Sequence, residues 1–202
     1  MEKSVMISIR PEWVRKILNG EKTIEVRKTA PQIATPFKCY IYCTLGKEPL
    51  SYCDYCGYDM TNFREDFLAN GKVVAEFVCD YIFSITVETN IHYEVAGNPV
   101  ETWLEWEEAP DEYQTDKSIE KASCLTINEI DKYIGNSEGC YCWHISDLKI
   151  YDKPKELTDF KPWKRDCFYS DLGLAIPDCL ECHTCKVERP PQSWCYVEEN
   201  GD

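Results

Sequence analysis

SIRPEWVRKILNGEKTIEVRK, residues 8–28, sets a strand end, a helix, a turn and a second strand in one continuous run. Upstream, SVMISI (4–9) alternates, with Val5, Ile7 and Ile9 on one face and Ser4, Met6 and Ser8 on the other, which predicts a half-buried strand. Pro11 suits the first turn of a helix. Trp13, Val14, Ile17 and Leu18 recur at helical spacing, and Asn19-Gly20 ends the helix. KTIEVRK then reads as a strand, with Ile24 and Val26 facing one way and Thr23, Glu25 and Arg27 the other. On a straight strand Lys22 and Glu25 would lie ~10 Å apart and point to opposite faces. They share one pocket only if Lys22 still belongs to the turn.

Beyond a loop bounded by Pro31 and Pro36, FKCYIYCT (37–44) is a third strand. Residues 46–71 are an excursion with two cysteines and a polar middle. KVVAEFVCDYIFSITVET (72–89) reads as one long buried strand or two in series. Residues 97–122 are acidic, and Trp103 and Trp106 at i, i+3 spacing predict a short helix followed by a mobile loop. TINE (126–129) fits a capping box opening a helix that runs to Ile134 and stops at Gly135. CYCWHISDLKIYD (140–152) is strand-like. Strands dominate and only one short crossover helix lies early. This order predicts an α+β fold, a small mixed β-barrel with a few short helices, rather than a doubly wound sheet. The expected organisation is a domain at 1–152 with insertions near 46–71 and 97–122. An irregular Cys/Pro-rich extension at 153–202 is expected to pack on the barrel.

The 202 residues, 44% hydrophobic and 13% aromatic, describe a folded chain with a substantial core. Residues 1–30 hold seven Lys/Arg against four Glu, a net of +3, so the remaining 172 carry −17 of the total −14. That acidic body is a poor partner for long duplex DNA, because phosphate contact relies on Lys and Arg. A small anion, a nucleotide or a short RNA segment suits the N-terminal patch. No export signal and no stretch of ~20 apolar residues is evident, so a soluble cytoplasmic protein is expected, with no membrane partner. Thirteen cysteines, an odd number, argue against a disulfide framework.

Four pieces of this sequence together resemble the ASCH domain of the PUA-like superfamily. They are SIRPEWVRKILNGEKTIEVRK, FKCYIYCT, KVVAEFVCD and CYCWHISDLKIYD, spanning residues 4 to about 150. The first is the specific one, with Gly20, Lys22 and Arg27 at the family's spacing. The resemblance implies a small β-barrel with a central cleft that acts on RNA or nucleosides. One branch, the N4-acetylcytidine amidohydrolases, uses a Lys, a Thr three residues later and a distant Glu. By that correspondence the Lys is Lys22 and the distant Glu is Glu76, while Glu25 stands at the Thr position. A Thr nucleophile therefore has no counterpart at that position. Thr23 shares the face of Glu25 but is displaced by ~6.6 Å along the strand.

Glu76 sits among Val73, Val74, Ala75, Phe77 and Val78. A carboxylate there must be paired or protonated, and Lys22 is a natural partner. The alternative is a structural ion pair needing no substrate. Arg10 and Arg27 are candidate anion clamps, or solvated partners of Glu12 and Glu21. Ser8 shares the face of Arg10 and is a candidate cleft residue. His144, between Trp143 and Ile145, is a candidate ligand contact, against the alternative of a hydrogen-bonded core histidine. Cys179, Cys182, Cys185 and Cys195 follow a C-x2-C-x2-C-x9-C spacing able to close a structural zinc site. His183 could replace one thiolate, and Cys53 and Cys56 form a rival pair; reduced thiols are the third option. The expected function is binding of a nucleoside or short single-stranded RNA in the cleft. Hydrolysis of an acylated cytidine amide through Lys22, Glu25 and Glu76 would extend it. A non-catalytic modified-base reader is the alternative. A ribonuclease is weaker, for want of a paired-His site or an acidic cluster suited to magnesium.

Overall fold

The computed structural model describes residues 3–47, 50, 68–90, 101–107, 109–163 and 186–199. The chain divides into two units, each built around one sheet. The first comprises Met1–Arg15, Phe37–Val78 and Asp147–Asp202; the second comprises Lys16–Pro36 and Cys79–Ser146.

The first unit's sheet has six strands. They are β1 (Ser4–Ile9), β3 (Phe37–Cys43), β4 (Val73–Cys79), β8 (Ser146–Lys155), β9 (Phe160–Pro162) and β10 (Trp194–Glu199). Their order is β8-β4-β3-β1-β10-β9, so β1 is interior, parallel to β3 and antiparallel to β10. All six residues of β1 are buried, although the alternation predicted one polar face. The face of Ser4, Met6 and Ser8 is covered by packing over the sheet: Met6 clusters with Tyr40, Tyr42, Tyr151, Phe160 and Val197, and Ser8 is held to the Pro191 carbonyl. Tyr40 meets Phe160 edge-on at 4.8 Å, an arrangement that suits the ring quadrupoles. The C-terminal extension is part of this sheet: β10 lies between β1 and β9, with Met6 opposite Cys195.

The second unit's sheet has four strands, β2 (Ile24–Arg27), β5 (Ile82–Asn90), β6 (Glu101–Glu107) and β7 (Cys140–His144), in the order β2-β7-β5-β6. The 72–89 run is thus two strands, broken at Asp80–Tyr81, and the 140–152 run is two strands, broken at Ile145. Each break hands the chain from one sheet to the other. Among the described residues the strands form two open sheets and not one closed barrel; the α+β character with short helices stands.

The helix expected around Trp103 and Trp106 is instead strand β6, paired antiparallel to β5 from Ser84 opposite Glu107 to Asn90 opposite Glu101. One i, i+3 pair is weak evidence of helical period, and a β-prone Thr-Trp-Leu run beside a free strand edge gains a full ladder. Helix α1 (Pro11–Leu18) ends as predicted: Gly20 has φ +74 and its N–H donates to the Ile17 carbonyl. α2 (Asp116–Ser123) is capped by Thr115, and α3 (Ile127–Ile134) by the predicted Thr126–Glu129 box, with Gly135 at its end. Their apolar faces place Ile119, Ala122, Ile130 and Ile134 against Ile24, Val26, Phe83, Ile85, Cys140 and Cys142, which forms the second unit's core. No described helix is long and apolar enough to cross a membrane.

Candidate functional site

The turn after α1 decides where Lys22 points. The N–H groups of Glu21 and Lys22 both donate to the Lys16 carbonyl, at 2.9 and 3.0 Å, so the chain is still wound at Lys22 and regular strand begins only at Ile24. Lys22 and Glu25 are therefore not held to opposite faces. The Lys22 ammonium lies 3.3 Å from Glu25 Oε2, and the Arg27 guanidinium lies 3.0 Å from Glu25 Oε1. All three residues are buried, at 3%, 7% and 9% exposure. Charges so far removed from water persist only with partners, and here one carboxylate is shared by two cations.

Lys22 has a second task. Its Nζ donates a 2.7 Å hydrogen bond to the carbonyl of Ser123, the last residue of α2. A cation there meets a carbonyl that has no partner within the helix, at the negative end of the helix dipole. The cluster thus ties β2 to α2. Across the β2–β7 ladder Glu25 stands opposite Trp143 and Arg27 opposite Tyr141, and directly opposed residues share a face. Trp143 is fully buried, whereas Tyr141 is 37% exposed and presents an aromatic ring beside Arg27. The carboxylate of Glu25 has about four acceptor positions. Two are taken by the cations, and the others suit the N–H groups of a ligand.

Glu76, in the first unit, keeps other company. Tyr151 donates a 2.6 Å hydrogen bond to its Oε2, and Lys38 and Lys149 each place Nζ 3.7 Å from its Oε1. Burial pushes the Glu76 carboxyl up, but the Tyr151 bond and the ammonium groups of Lys38, Lys149 and Lys155 outweigh it. The net result lies below the ordinary carboxylate value. The Tyr151 hydroxyl moves the opposite way: burial first, then donation to Glu76, raise it far above the usual phenol. Lys22 and Glu76, paired in the sequence reading, thus have separate partners, Glu25 for the one and Lys38 and Lys149 for the other.

His144 ends β7. Its Nδ1 lies 2.6 Å from Asp80 Oδ1, and its ring stacks on Tyr81 with centroids 4.4 Å apart and planes at 8°. The Tyr81 hydroxyl donates to Glu112 at 3.0 Å. This is a hydrogen-bonded, stacked histidine within the second unit. Ser8 is buried and donates its hydroxyl to the Pro191 carbonyl at 2.7 Å. Its role is to hold the segment before β10 against β1. Arg10 is exposed and 3.9 Å from Glu12, a solvated surface pair. Cys179, Cys182, Cys185, Cys53, Cys56 and His183 lie outside the described residues. Cys195 stands in β10, half-buried, its thiol pushed up to about 11 by burial.

Tyr141, Lys38, Lys149 and Tyr151 are neighbours of these sites that the sequence reading passed over. The signal for Tyr141 was available: in CYCWH it alternates with the core cysteines and falls on the face of Trp143. Lys149 and Tyr151, two residues apart on β8, carried the same period, but nothing in the sequence joins them to Glu76 on β4.

No protein-family model and no curated protein matches the sequence. Among solved structures, the ASCH protein of Zymomonas mobilis matches with a TM-score of 0.46 and 15% identity, covering 96% of this chain and 87% of that one. A point-mutant form of it matches with a TM-score of 0.48 and 14% identity, over 98% of this chain and 89% of that one. Over nearly its whole length, then, the chain is similar to solved ASCH structures.

Proposed function

We propose that the sheet face carrying Lys22, Glu25 and Arg27 binds a nucleoside, free or as one nucleotide of a short single-stranded RNA. The observation behind this reading is the buried Glu25 carboxylate, fixed by two cations on one sheet face beside the exposed ring of Tyr141. Such a carboxylate is a preset acceptor for the amine of a nucleobase, and the flanking cations are donors for its ring nitrogen and carbonyl oxygen. Cytosine carries all three kinds of group, the amine as donor and the ring nitrogen and carbonyl oxygen as acceptors. Tyr141 offers a stacking surface, a contact worth ~1–3 kcal/mol per base.

A second reading, hydrolysis of an acyl group on the cytosine amine, is favoured by the 3.3 Å ammonium–carboxylate pair. Glu25 would take a proton from water, whose oxygen attacks the acyl carbonyl carbon. Lys22 would stabilise the resulting oxyanion. Breaking of the C–N bond, with the proton passed to the departing amine, releases cytidine and the carboxylic acid. This version moves the carboxylate role from Glu76 to Glu25.

Titration of the full chain with a nucleoside panel tests the first reading, and incubation with N4-acetylcytidine tests the second. Cytidine binding lost in Glu25→Gln, with the fold retained by circular dichroism, supports recognition. Unchanged binding in both Glu25→Gln and Lys22→Met reduces the cluster to a structural ion pair. Binding without any turnover leaves a base reader.

A further inference from the structure

Around Glu76, three lysines crowd one carboxylate. Lys38 reaches it from β3 and Lys149 from β8, and both approach the same oxygen, Oε1, at 3.7 Å. That distance is longer than the ~2.7–2.9 Å of a charge-assisted hydrogen bond. The two ammonium groups are attracted to the carboxylate without spending their N–H donors on it. Lys155, further along β8, lies over the Tyr151 ring at 4.6 Å, and Lys38 lies 5.7 Å from the centre of the Tyr40 ring. The carboxylate sits low, with 14% of its side chain exposed, while Lys38 and Lys149 expose 45% and 70%.

Lys38 and Lys149 share the one carboxylate of Glu76, and Lys155 has Glu76 and Asp159 near it, so the patch carries an excess of positive charge in a chain whose total is −14. Like charges so close together repel. Burial, then Lys149 and Lys38, draw the Lys155 ammonium below its ordinary value, although Glu76 opposes them. Glu76, itself fixed by Tyr151, is what keeps the lysines gathered. An anion with several acceptor oxygens would complete the arrangement. A phosphomonoester fits, at about −1.5 to −2 and with three strong acceptors.

We propose that Lys38, Lys149 and Lys155, gathered by Glu76, form a binding site for a phosphoryl group. The two exposed ammonium groups contact the phosphoryl oxygens directly. The rings of Tyr40 and Tyr151 wall the site and keep the lysine stems in place. The proposal does not rest on the reading of Lys22, Glu25 and Arg27, which concerns the other unit.

The test titrates the full chain with inorganic phosphate, cytidine, cytidine 5′-monophosphate and an unphosphorylated dinucleotide, by calorimetry and by NMR of the lysine ammonium groups. Phosphate or a phosphate ester should bind, shift the Lys38 and Lys149 signals and weaken as salt rises. The double variant Lys38→Gln/Lys149→Gln should lose at least about tenfold in affinity. Lys38→Arg/Lys149→Arg, which keeps both charges, should retain most of it. A response to the monophosphate but not the dinucleotide identifies a terminal phosphate; the converse identifies a backbone phosphodiester; either supports the site. Absence of phosphoryl binding by the wild-type chain, or equal binding by the Gln double variant, overturns it. Cytidine serves as the control: its binding should be the same in the Gln double variant, so failure here is separable from failure of the nucleoside reading.

Discussion

Glu25→Gln is the substitution that most directly questions the buried cluster. Glutamine keeps the shape of the side chain and removes its charge, so two cations lose the carboxylate they share. At 3.0 and 3.3 Å each pair carries a gross attraction of ~5 kcal/mol at an effective dielectric of 20. The folded chain has already borne the desolvation of Lys22 and Arg27, and most of that cost remains in the variant. Removing one partner of a buried ion pair costs about 3–5 kcal/mol, and the shared geometry sets Glu25→Gln within that range. Lys22→Met leaves the Glu25–Arg27 contact in place and surrenders the bond to the Ser123 carbonyl; it should cost only ~1–3 kcal/mol. Because the two residues touch, the double variant should fall short of the sum by ~1–3 kcal/mol. Urea unfolding followed by tryptophan fluorescence measures all three. With a slope near ~2 kcal/mol/M, Glu25→Gln should lower the midpoint by ~1.5–2.5 M. A loss below ~1 kcal/mol, or strictly additive effects, would show that the carboxylate is neither buried nor shared as described.

Two glycine substitutions should differ in cause and size. A Cβ on Gly139 would stand 2.6 Å from the Ile85 carbonyl oxygen, so Gly139→Ala must move the β5–β7 ladder and cost ~1–3 kcal/mol. Gly20→Ala meets nothing within 4 Å and should cost only the ~1 kcal/mol of its left-handed φ, both being read from unfolding midpoints. Since Glu76 ionises below its usual 4.5, its contribution is complete above that value and disappears as pH falls through the lowered folded value. Wild type should therefore lose more stability than Glu76→Gln between pH 5 and pH 3, and an equal or smaller loss would contradict the described environment. Burial holds the thiols of Cys43, Cys79 and Cys140 up at about 12 and raises Cys142 well above 9.0, so peptide mapping after brief alkylation at pH 8 should find them unmodified while Cys124 reacts. A structural zinc on Cys179, Cys182, Cys185 and Cys195 predicts one equivalent in the purified protein and a lower Tm after chelation; metal-free protein with an unchanged Tm would remove it.

What could be read from the sequence was whatever neighbouring residues decide. The helix stop at Asn19-Gly20, the Thr126–Glu129 box and the strands read at 4–9, 22–28 and 37–44 depend on turn chemistry and local period; the stop and the box are where the pattern put them, and the strands form at 4–9, 24–27 and 37–43. Burial of both faces of β1 was not legible. It depends on Tyr151, Phe160 and Val197, well over a hundred residues away, packing with Met6. The partners of Glu76 were hidden for the same reason: its surroundings come from β3 and β8, and a run of valines discloses burial without disclosing which cation meets the carboxylate. Trp103 and Trp106 misled because two aromatics three apart fit a helix, whereas the deciding fact was an unpaired edge on β5.

The glutamate at position 25 joins these threads. The resemblance to the amidohydrolases places a threonine there and asks a distant carboxylate to accompany the lysine. In this chain the carboxylate is three residues from Lys22, on the next strand residue whose side chain can turn back to the turn. A buried ammonium needs one anionic partner, and Glu25 supplies it locally. Glu76 is then not required for that purpose, and it is ringed instead by Lys38, Lys149 and Lys155 with Tyr151 as its hydrogen-bond donor. Lys22 and Glu76 each find their counter-charges within their own unit. Glu25→Thr, which removes the carboxylate shared by Lys22 and Arg27, should therefore destabilise the second unit. A variant as stable as wild type would mean that Lys22 draws its compensation from somewhere other than Glu25.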